Sequence, residues 1–373
     1  MQKIKNIFHL LRAWIATIYF GHPSRKLTVI GITGTDGKTT TSIYTHAILS
    51  KAGINVGLLS TISAQFGDKQ MDTGFHVTSP GAWDVQKILR SMVNEGMTHV
   101  VLEVTSHAID QNRFAGVHFN VTGLTNITHE HLDYHKSFEA YQKTKLSFLA
   151  TGDISLSAEN ISDGVLQGID VNLLGSYNTQ NAKLAAAIAL ALQVPQEFVK
   201  KGIESVTAIS GRMEVVYNDK FKVIVDFAHT SKGLYTALTS VRTMVSTESK
   251  VIVVFGCAGE RDYQKRPTMG EIAVKNADLT VITAEDPRTE DVNVICQQIA
   301  LGAGNAGGVR DETYFIKPNR KEAIAFALSQ ATEGSIVLIT GKGHEKSMNL
   351  DGKTEIPWSD QATVRELINQ NTT

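Results

Sequence analysis

The sequence predicts an α/β protein with a central domain built on a mostly parallel sheet and a C-terminal Rossmann-like domain. Three observations carry that expectation. Apolar, β-branched runs alternate with helix-like stretches, the pattern of a parallel sheet covered by helices. The alternation comes as two series, one from Leu27 and one from Phe221. The chain has 373 residues, more than one compact core ordinarily accommodates. The series meet near Ser210, Gly211 and Arg212, so the expected segments are an N-terminal helix over 1–24, a central domain over 25–211 and a C-terminal domain over 212–373.

Composition narrows the class. With 42% hydrophobic and 20% charged residues the chain is globular rather than disordered. Lys and Arg total 36 against 37 Asp and Glu, so no positive field is available to hold nucleic acid, and any phosphate must be gripped locally. Cys257 and Cys296 are too few for a disulfide framework or a thiolate metal site and fit a reducing, cytoplasmic setting.

The elements follow in order. Ile4, Ile7, Phe8, Leu11, Trp14, Ile15 and Ile18 recur at helical spacing, with Lys3, Lys5 and Arg12 among them. His9 and Arg12 interrupt the run and no small-residue cleavage site follows, which argues against a signal peptide, and the run is short for a bilayer span. Residues 4–18 therefore read either as a peripheral helix leaning on a membrane or a protein partner, or as a helix packing its apolar face on its own protein. From Leu27 come the strand LTVIGIT, a helix through TTTSIYTHAILSKAG, the strand INVGLLST, a helix around Trp83–Asn94, and the strands THVVLEV and VHFNVTGLTN. Residues 153–174 are less regular, and an alanine-rich helix spans Ala182–Leu192. The second series runs through FKVIVDF, KVIVVFG, DLTVITAE and GSIVLITG, with a helix between successive strands.

The strongest chemical signal is Gly31-Ile-Thr-Gly34-Thr35-Asp36-Gly37-Lys38-Thr39-Thr40, directly after a strand and before a helix. Glycines let backbone N–H groups face a phosphate, Lys38 can reach the β- and γ-phosphates, and the Thr39 hydroxyl can ligate Mg²⁺. The residue six before Lys38 is Ile32 rather than glycine, so this is the shorter G-T-x-G-K-T form of the P-loop. An unliganded glycine turn is the plainer alternative, and the strand–loop–helix context favours ATP. Glu103 ends the strand THVVLEV, and Thr128 to His135 brings three histidines and two carboxylates after another. In open α/β sheets ligands sit at such strand ends. On ligand chemistry alone, Zn²⁺ and Mg²⁺ both remain open there. Three more stretches follow strands in the second half: Asp226 to Ser231, Phe255 to Arg266, and Gly341 to Glu345. Singly they read as solvated loops; together, at the ends of strands of one sheet, they read as a site.

The residues GTDGKTTT, the TSP of Thr78–Pro80, EVTSHAIDQNR, HEHLDYH, YQKTK, YNTQNA, GRMEVV, DFAHT, GCAGERDYQKRP, EDPR and GKGHE resemble, in order and over roughly residues 27–365, the Mur ligases of peptidoglycan synthesis, and most closely the MurE type that adds the third residue of the stem peptide. The resemblance implies that ATP phosphorylates an acceptor carboxylate and that an amino group then displaces the phosphate. It implies ATP contacts from Gly34, Thr35, Asp36, Gly37, Lys38, Thr39, Thr40, Asn178, Asn181, Arg212 and Asp226, with the last two where the C-terminal domain closes over ATP. Thr39, Glu103, His131 and a carbamylated Lys145 match the metal region, and the added carbamate oxygens suit Mg²⁺ better than Zn²⁺. Lys38, Glu103, His131 and Lys145 are the catalytic set it implies. Thr78, Ser79, Thr105, Gln111 and Arg113 match positions that hold the muramoyl-peptide acceptor. Arg261, Glu285, Asp286, Pro287, Arg288, Gly341 and Glu345 match positions for the incoming diamino acid.

Arg288 can pair bidentately with the distal carboxylate of meso-diaminopimelate, a group lysine lacks. Asp286, however, stands where the diaminopimelate pattern has asparagine, which leaves L-lysine as the alternative amino acid. MurE-type enzymes also carry an N-terminal uridine-nucleotide domain of about a hundred residues, whereas fewer than thirty residues precede the central domain here. The expectation is an acceptor held chiefly through its peptide and sugar, with free UDP a poor competitor. The alternatives are a ligase for a lipid-linked muropeptide, a folate or a polypeptide, or a degenerate ATP-binding scaffold at the membrane.

Overall fold

The computed structural model describes residues 2–60, 62, 64–67, 69–71, 80–128, 130 and 132–370. Its contacts divide the chain into two compact units, Met1–Thr207 and Ala208–Thr373.

The first unit is built on a seven-stranded sheet. Its strands are β1 (Thr28–Thr33), β2 (Val56–Leu59), β3 (Ala64–Phe66), β4 (Lys69–Met71), β5 (His99–Glu103), β6 (Phe119–Leu124) and β7 (Gly152–Ser157), in the order β4-β3-β2-β5-β1-β6-β7. β2, β5, β1, β6 and β7 run parallel, while β3 and β4 extend the sheet antiparallel. The central strands are buried almost throughout, as expected of a parallel sheet covered on both faces. Leu59, Val85, Leu89, Met92, Val100, Leu102, Phe114, Phe119 and Phe148 form the core on one side. On the helical layer, Gly202 lets helix Gln196–Glu204 approach helix Lys38–Lys51 so closely that a Cβ would stand 2.4 Å from the Ile48 Cα.

The register positions the site. Ile32 pairs with Glu103, and Thr33 with Leu124, so the carboxyl ends of β5, β1 and β6 lie side by side. Their loops, starting at Gly34, Val104 and Thr125, leave from one sheet edge. β7 falls inside the stretch whose sequence shows little periodicity. It is an edge strand with its central residues exposed, so no apolar alternation marks it.

The N-terminal helix, Gln2–Tyr19, packs on the first unit, but through its small face. Ala13, Ala16 and Thr17 have no exposure. The Thr17 hydroxyl donates to Ala13 O at 2.8 Å, and Gly116 lies so close that a Cβ there would stand 2.3 Å from Thr17 Oγ1. Asn6 Nδ2 donates to Asp110 O and Oδ2 at 2.9 and 3.1 Å. Ile7, Phe8, Leu11, Trp14, Ile15 and Ile18 face out, from 47 to 69% exposed. No described helix is long and apolar enough to cross a membrane.

The second unit has a six-stranded sheet of β8 (Glu214–Asn218), β9 (Lys222–Asp226), β10 (Val251–Phe255), β11 (Leu279–Ile282), β12 (Tyr314–Ile316) and β13 (Ile336–Thr340), ordered β12-β11-β10-β13-β9-β8. All pairs are parallel except β8 with β9. Val223, Val225, Ile252, Val254, Val281, Ile324, Val337 and Ile339 form one core face. Thr340 pairs with Asp226 and Phe255 with Ile282, which brings the loops after β9, β13, β10 and β11 to one edge. A two-stranded ribbon, β14 (Ser347–Asn349) and β15 (Glu355–Pro357), follows. The expected α/β class, with a parallel sheet behind the phosphate loop and a second α/β unit after it, is the fold observed.

Candidate active site

β1 runs directly into the glycine-rich loop, and helix Lys38–Lys51 starts behind Gly37 as its N-cap. Gly34 and Gly37 adopt φ of +152° and +81°. A Cβ on Gly34 would stand 1.7 Å from Thr125 Oγ1, and one on Gly37 2.1 Å from Asn181 Oδ1, so both positions need glycine for space as well as conformation. The loop is tied down from β6: Thr35 N donates to Asn126 O at 2.9 Å and Asp36 N to Asn126 Oδ1 at 3.0 Å. Thr125 Oγ1 donates to Asp36 O at 2.6 Å, and Thr35 Oγ1 bonds the Tyr141 hydroxyl at 2.9 Å. The result is a rigid turn at a helix N-terminus, the arrangement that offers backbone N–H groups and a positive dipole end to phosphate.

The charged groups converge on this turn. Lys38 Nζ folds back to Thr35 O at 2.8 Å. Thr39 Oγ1 donates to Glu103 Oε2 at 3.0 Å, and both residues are buried. Lys145 reaches in from helix Phe138–Leu149, 1% exposed, with Nζ 2.7 Å from Gly34 O and 4.8 Å from the centre of the Tyr141 ring. Burial, reinforced by the charge of Lys38 and only partly opposed by Asp36, holds its amine well below the usual lysine pKa. Asn178 and Asn181 lie in the first turns of helix Tyr177–Ala191, linked by a 3.0 Å bond from Asn181 Nδ2 to Asn178 Oδ1, and Asn181 abuts Gly37.

Beyond β5, Thr105 caps helix Ser106–Asp110, accepting from Ala108 N at 3.3 Å. Arg113 donates through Nε and Nη2 to Gln111 Oε1 at 3.0 and 2.7 Å. Gln111 Nε2 donates to the Tyr134 hydroxyl at 3.3 Å, which donates to Asp110 Oδ2 at 2.7 Å. Thr78, Ser79 and His131 lie outside the described residues. Among the described residues no three His, Cys, Asp or Glu side chains gather into a metal cluster.

In the second unit, Glu285 to Arg288 leave β11 beside Gly341 to Glu345, which leave β13. Lys342 has no exposure and sits between two carboxylates: Nζ is 2.9 Å from both Asp286 oxygens and 2.6 Å from Glu345 Oε2. Burial pushes this ammonium down, and Glu345 with Asp286 more than restores it, so it stays charged. Asp286 Oδ1 also accepts from Asn349 N at 2.9 Å. Glu285 is buried, with no partner for Oε2 among the described residues, and burial pushes its carboxyl up to about 7 against the pull of Lys265 and Lys342. Arg288 holds φ of +56°, with its N–H donated to Asn349 O at 3.1 Å, and its guanidinium has no hydrogen-bond or ion-pair partner among the described residues. Gly259 N donates to Asp286 O at 2.8 Å, and Arg261 extends exposed from the same loop. Arg212 lies 4.5 Å over the Phe227 ring, and Asp226 engages the amides of Met213 and Ala228, each at 2.8 Å.

The Mur ligase middle domain matches residues 32–155, and the glutamate ligase domain of Mur ligases matches residues 211–343. The UDP-N-acetylmuramoyl-L-alanyl-D-glutamate–2,6-diaminopimelate ligase of Clostridium botulinum is 34% identical over 403 residues, covering 96% of this chain and 81% of that protein. The chain belongs to the Mur ligase family. It is accordingly an ATP-dependent ligase. The UDP-N-acetylmuramyl-tripeptide synthetase of Roseiflexus sp. is also 34% identical, over 95% of this chain and 81% of its own. A solved 2,6-diaminopimelate ligase superposes with a TM-score of 0.58 at 26% identity, over 93% of this chain and 79% of that one. Escherichia coli FolC with ADP superposes with a TM-score of 0.72 at 18% identity, over 97% and 94% of the two chains, a likeness of fold alone.

Two features of this Mur ligase's sites go beyond the residues singled out from sequence. Lys342 pairs with both Asp286 and Glu345, an arrangement that its place between two glycines of GKGHE does not specify. Arg320, fully buried, donates to Ala284 O at 3.0 Å and Thr340 O at 2.8 Å while pairing with Asp360 at 2.6 Å, so it clamps the strand ends that carry Glu285 and Gly341. In the first unit, Thr125 and Asn126 do the corresponding work on the phosphate loop.

Proposed function

We propose that this Mur ligase joins a diamino acid to the carboxylate of a muramoyl-dipeptide acceptor in peptidoglycan synthesis, by way of an acyl phosphate, in the cytoplasm. The observation that carries the reading is the convergence of Lys38, the Thr39–Glu103 pair and the buried Lys145 amine on one glycine-rich turn. The 34% identity to ligases named for the same acceptor supports it. An acceptor carboxylate oxygen attacks the γ-phosphorus and ADP leaves; the amine nitrogen then attacks the acyl carbon, phosphate leaves, and the nitrogen loses a proton.

Residues Gly34 to Thr40 hold the phosphates through their amides, with Lys38 leaving Thr35 O to meet them, and Asn178 and Asn181 steady the nucleotide. The family resemblance assigns Arg212 and Asp226 to the nucleotide as well. Thr39 and Glu103 present only oxygen, a donor set that fits Mg²⁺, and the resemblance adds His131 to them. Mg²⁺ bound there would neutralise phosphate charge during transfer. Lys145 is placed for carbamylation, because burial favours its neutral amine: the nitrogen bonds the carbon of CO₂ and a proton departs, leaving an anionic oxygen donor in place of the amine.

Thr78, Ser79, Thr105, Gln111 and Arg113 receive the acceptor. Arg261, Glu285, Asp286, Pro287, Arg288, Gly341 and Glu345 receive the diamino acid, and meso-diaminopimelate is favoured over lysine. Arg288, whose guanidinium has no partner among the described residues, is offered to a distal carboxylate, while Asp286 is already paired with Lys342 and so is a poor seat for a lysine ammonium. The test is ATP-dependent phosphate release with candidate acceptors crossed against diaminopimelate and lysine.

A further inference from the structure

We propose that helix Gln2–Tyr19 docks the protein on an anionic membrane surface. Its inward face is already used: Ala13, Ala16 and Thr17 are fully covered and Asn6 is bonded to Asp110. The face left over is the strongly apolar one. Ile7, Phe8, Leu11, Trp14, Ile15, Ile18 and Tyr19 are between 47 and 71% exposed, a concentration of large apolar side chains that is unusual on a free surface. The helix is neither long nor apolar enough to cross a bilayer, which leaves lying in the plane of the interface.

Charge selects the occupant. Lys3, Lys5, Arg12, Arg25 and Lys26 are the charged residues of the first 35 positions; the first acidic residue is Asp36. Arg12, Arg25 and Lys26 are exposed. A second copy would bring the same basic set against itself, whereas an anionic headgroup layer neutralises it. Trp14 and Tyr19 on the exposed face, with Tyr19 stacked near Trp83 at 5.1 Å between ring centroids, are the amphipathic rings that prefer the interfacial depth. Docking would concentrate the enzyme where membrane-borne acceptors or downstream enzymes reside, without a new contact to the active site.

Sedimentation of the full chain with vesicles of phosphatidylcholine, alone or mixed with phosphatidylglycerol, tests the proposal. Binding is expected to the mixed vesicles, at least about tenfold weaker to the neutral ones, and diminished by salt. The double substitution Phe8→Glu with Ile15→Glu should lower binding by about tenfold or more with an unchanged melting temperature. Val294→Glu, at an exposed apolar position elsewhere, should leave binding intact. Absent binding, equal binding to both vesicle types, or a concentration-dependent dimer that the double substitution dissociates would each overturn the proposal.

Discussion

The Lys145 amine lies 2.7 Å from the carbonyl oxygen of Gly34, the first residue of the glycine-rich turn. That turn needs phosphate-binding charge, yet burial and the neighbouring charge of Lys38 hold this amine well below the usual lysine range, and the role proposed for it is the carbamate it forms with CO₂. Lys145→Ala should reduce ligase turnover by about 10²-fold or more, with partial rescue by short-chain carboxylic acids that replace the carbamate oxygens. A near-normal rate without added acid would contradict the carbamate role.

Arg288→Ala should lower kcat/KM for diaminopimelate by about 10²-fold, the loss of a charge-assisted bidentate pair, while use of lysine changes little. Asp286→Asn should leave the preference within about tenfold of the parent, because the Asp286 charge faces Lys342 rather than solvent. Competing-substrate kinetics reads both. A switch to lysine on restoring Asp286 from asparagine would show that this carboxylate selects the amino acid directly.

Glu285 gives a pH signature. Its folded carboxyl titrates near 7 against an ordinary 4.5, so between those values the folded chain holds a proton that the unfolded chain has lost. Stability from this group is complete below pH 4.5 and declines as pH rises through 7. Glu285→Gln should remove that decline, so that its stability relative to the parent rises by about 1–3 kcal/mol between pH 5 and pH 8. Denaturant melts at the two pH values check the sign.

Arg320 and Asp360 are both without exposure and 2.6 Å apart. Arg320→Met should cost about 3–5 kcal/mol, since it strands a buried carboxylate. Removing both charges with Arg320→Met and Asp360→Leu should recover much of the loss in chemical denaturation, and failure to recover would mean that the bonds to Ala284 and Thr340 dominate.

How far the sequence revealed this differs by element. β1, the turn at Gly34 to Gly37 and helix Lys38–Lys51 are legible because strand periodicity, glycines and a helix start coincide within a few residues. The helix at Gln2–Tyr19 is legible as a helix, but which face it buries is not. Periodicity locates the apolar face, whereas the inward one is chosen by how closely Thr17 can approach Gly116. The Lys342–Asp286 pair joins residues 56 apart, and nothing local to either announces the other. Both lie at ends of strands whose neighbour relations only the assembled sheet supplies.

The most direct measurement is initial-rate phosphate release by the purified chain with ATP, a muramoyl-L-alanyl-D-glutamate acceptor and either diaminopimelate or lysine, paired with mass analysis of the product. Release is expected to require acceptor and amino acid together, to give a product heavier by one diaminopimelate residue, and to vanish along with that product in Lys38→Ala. Release that ignores the muramoyl acceptor, or that proceeds only with a folate or polypeptide acceptor, would contradict the proposed function.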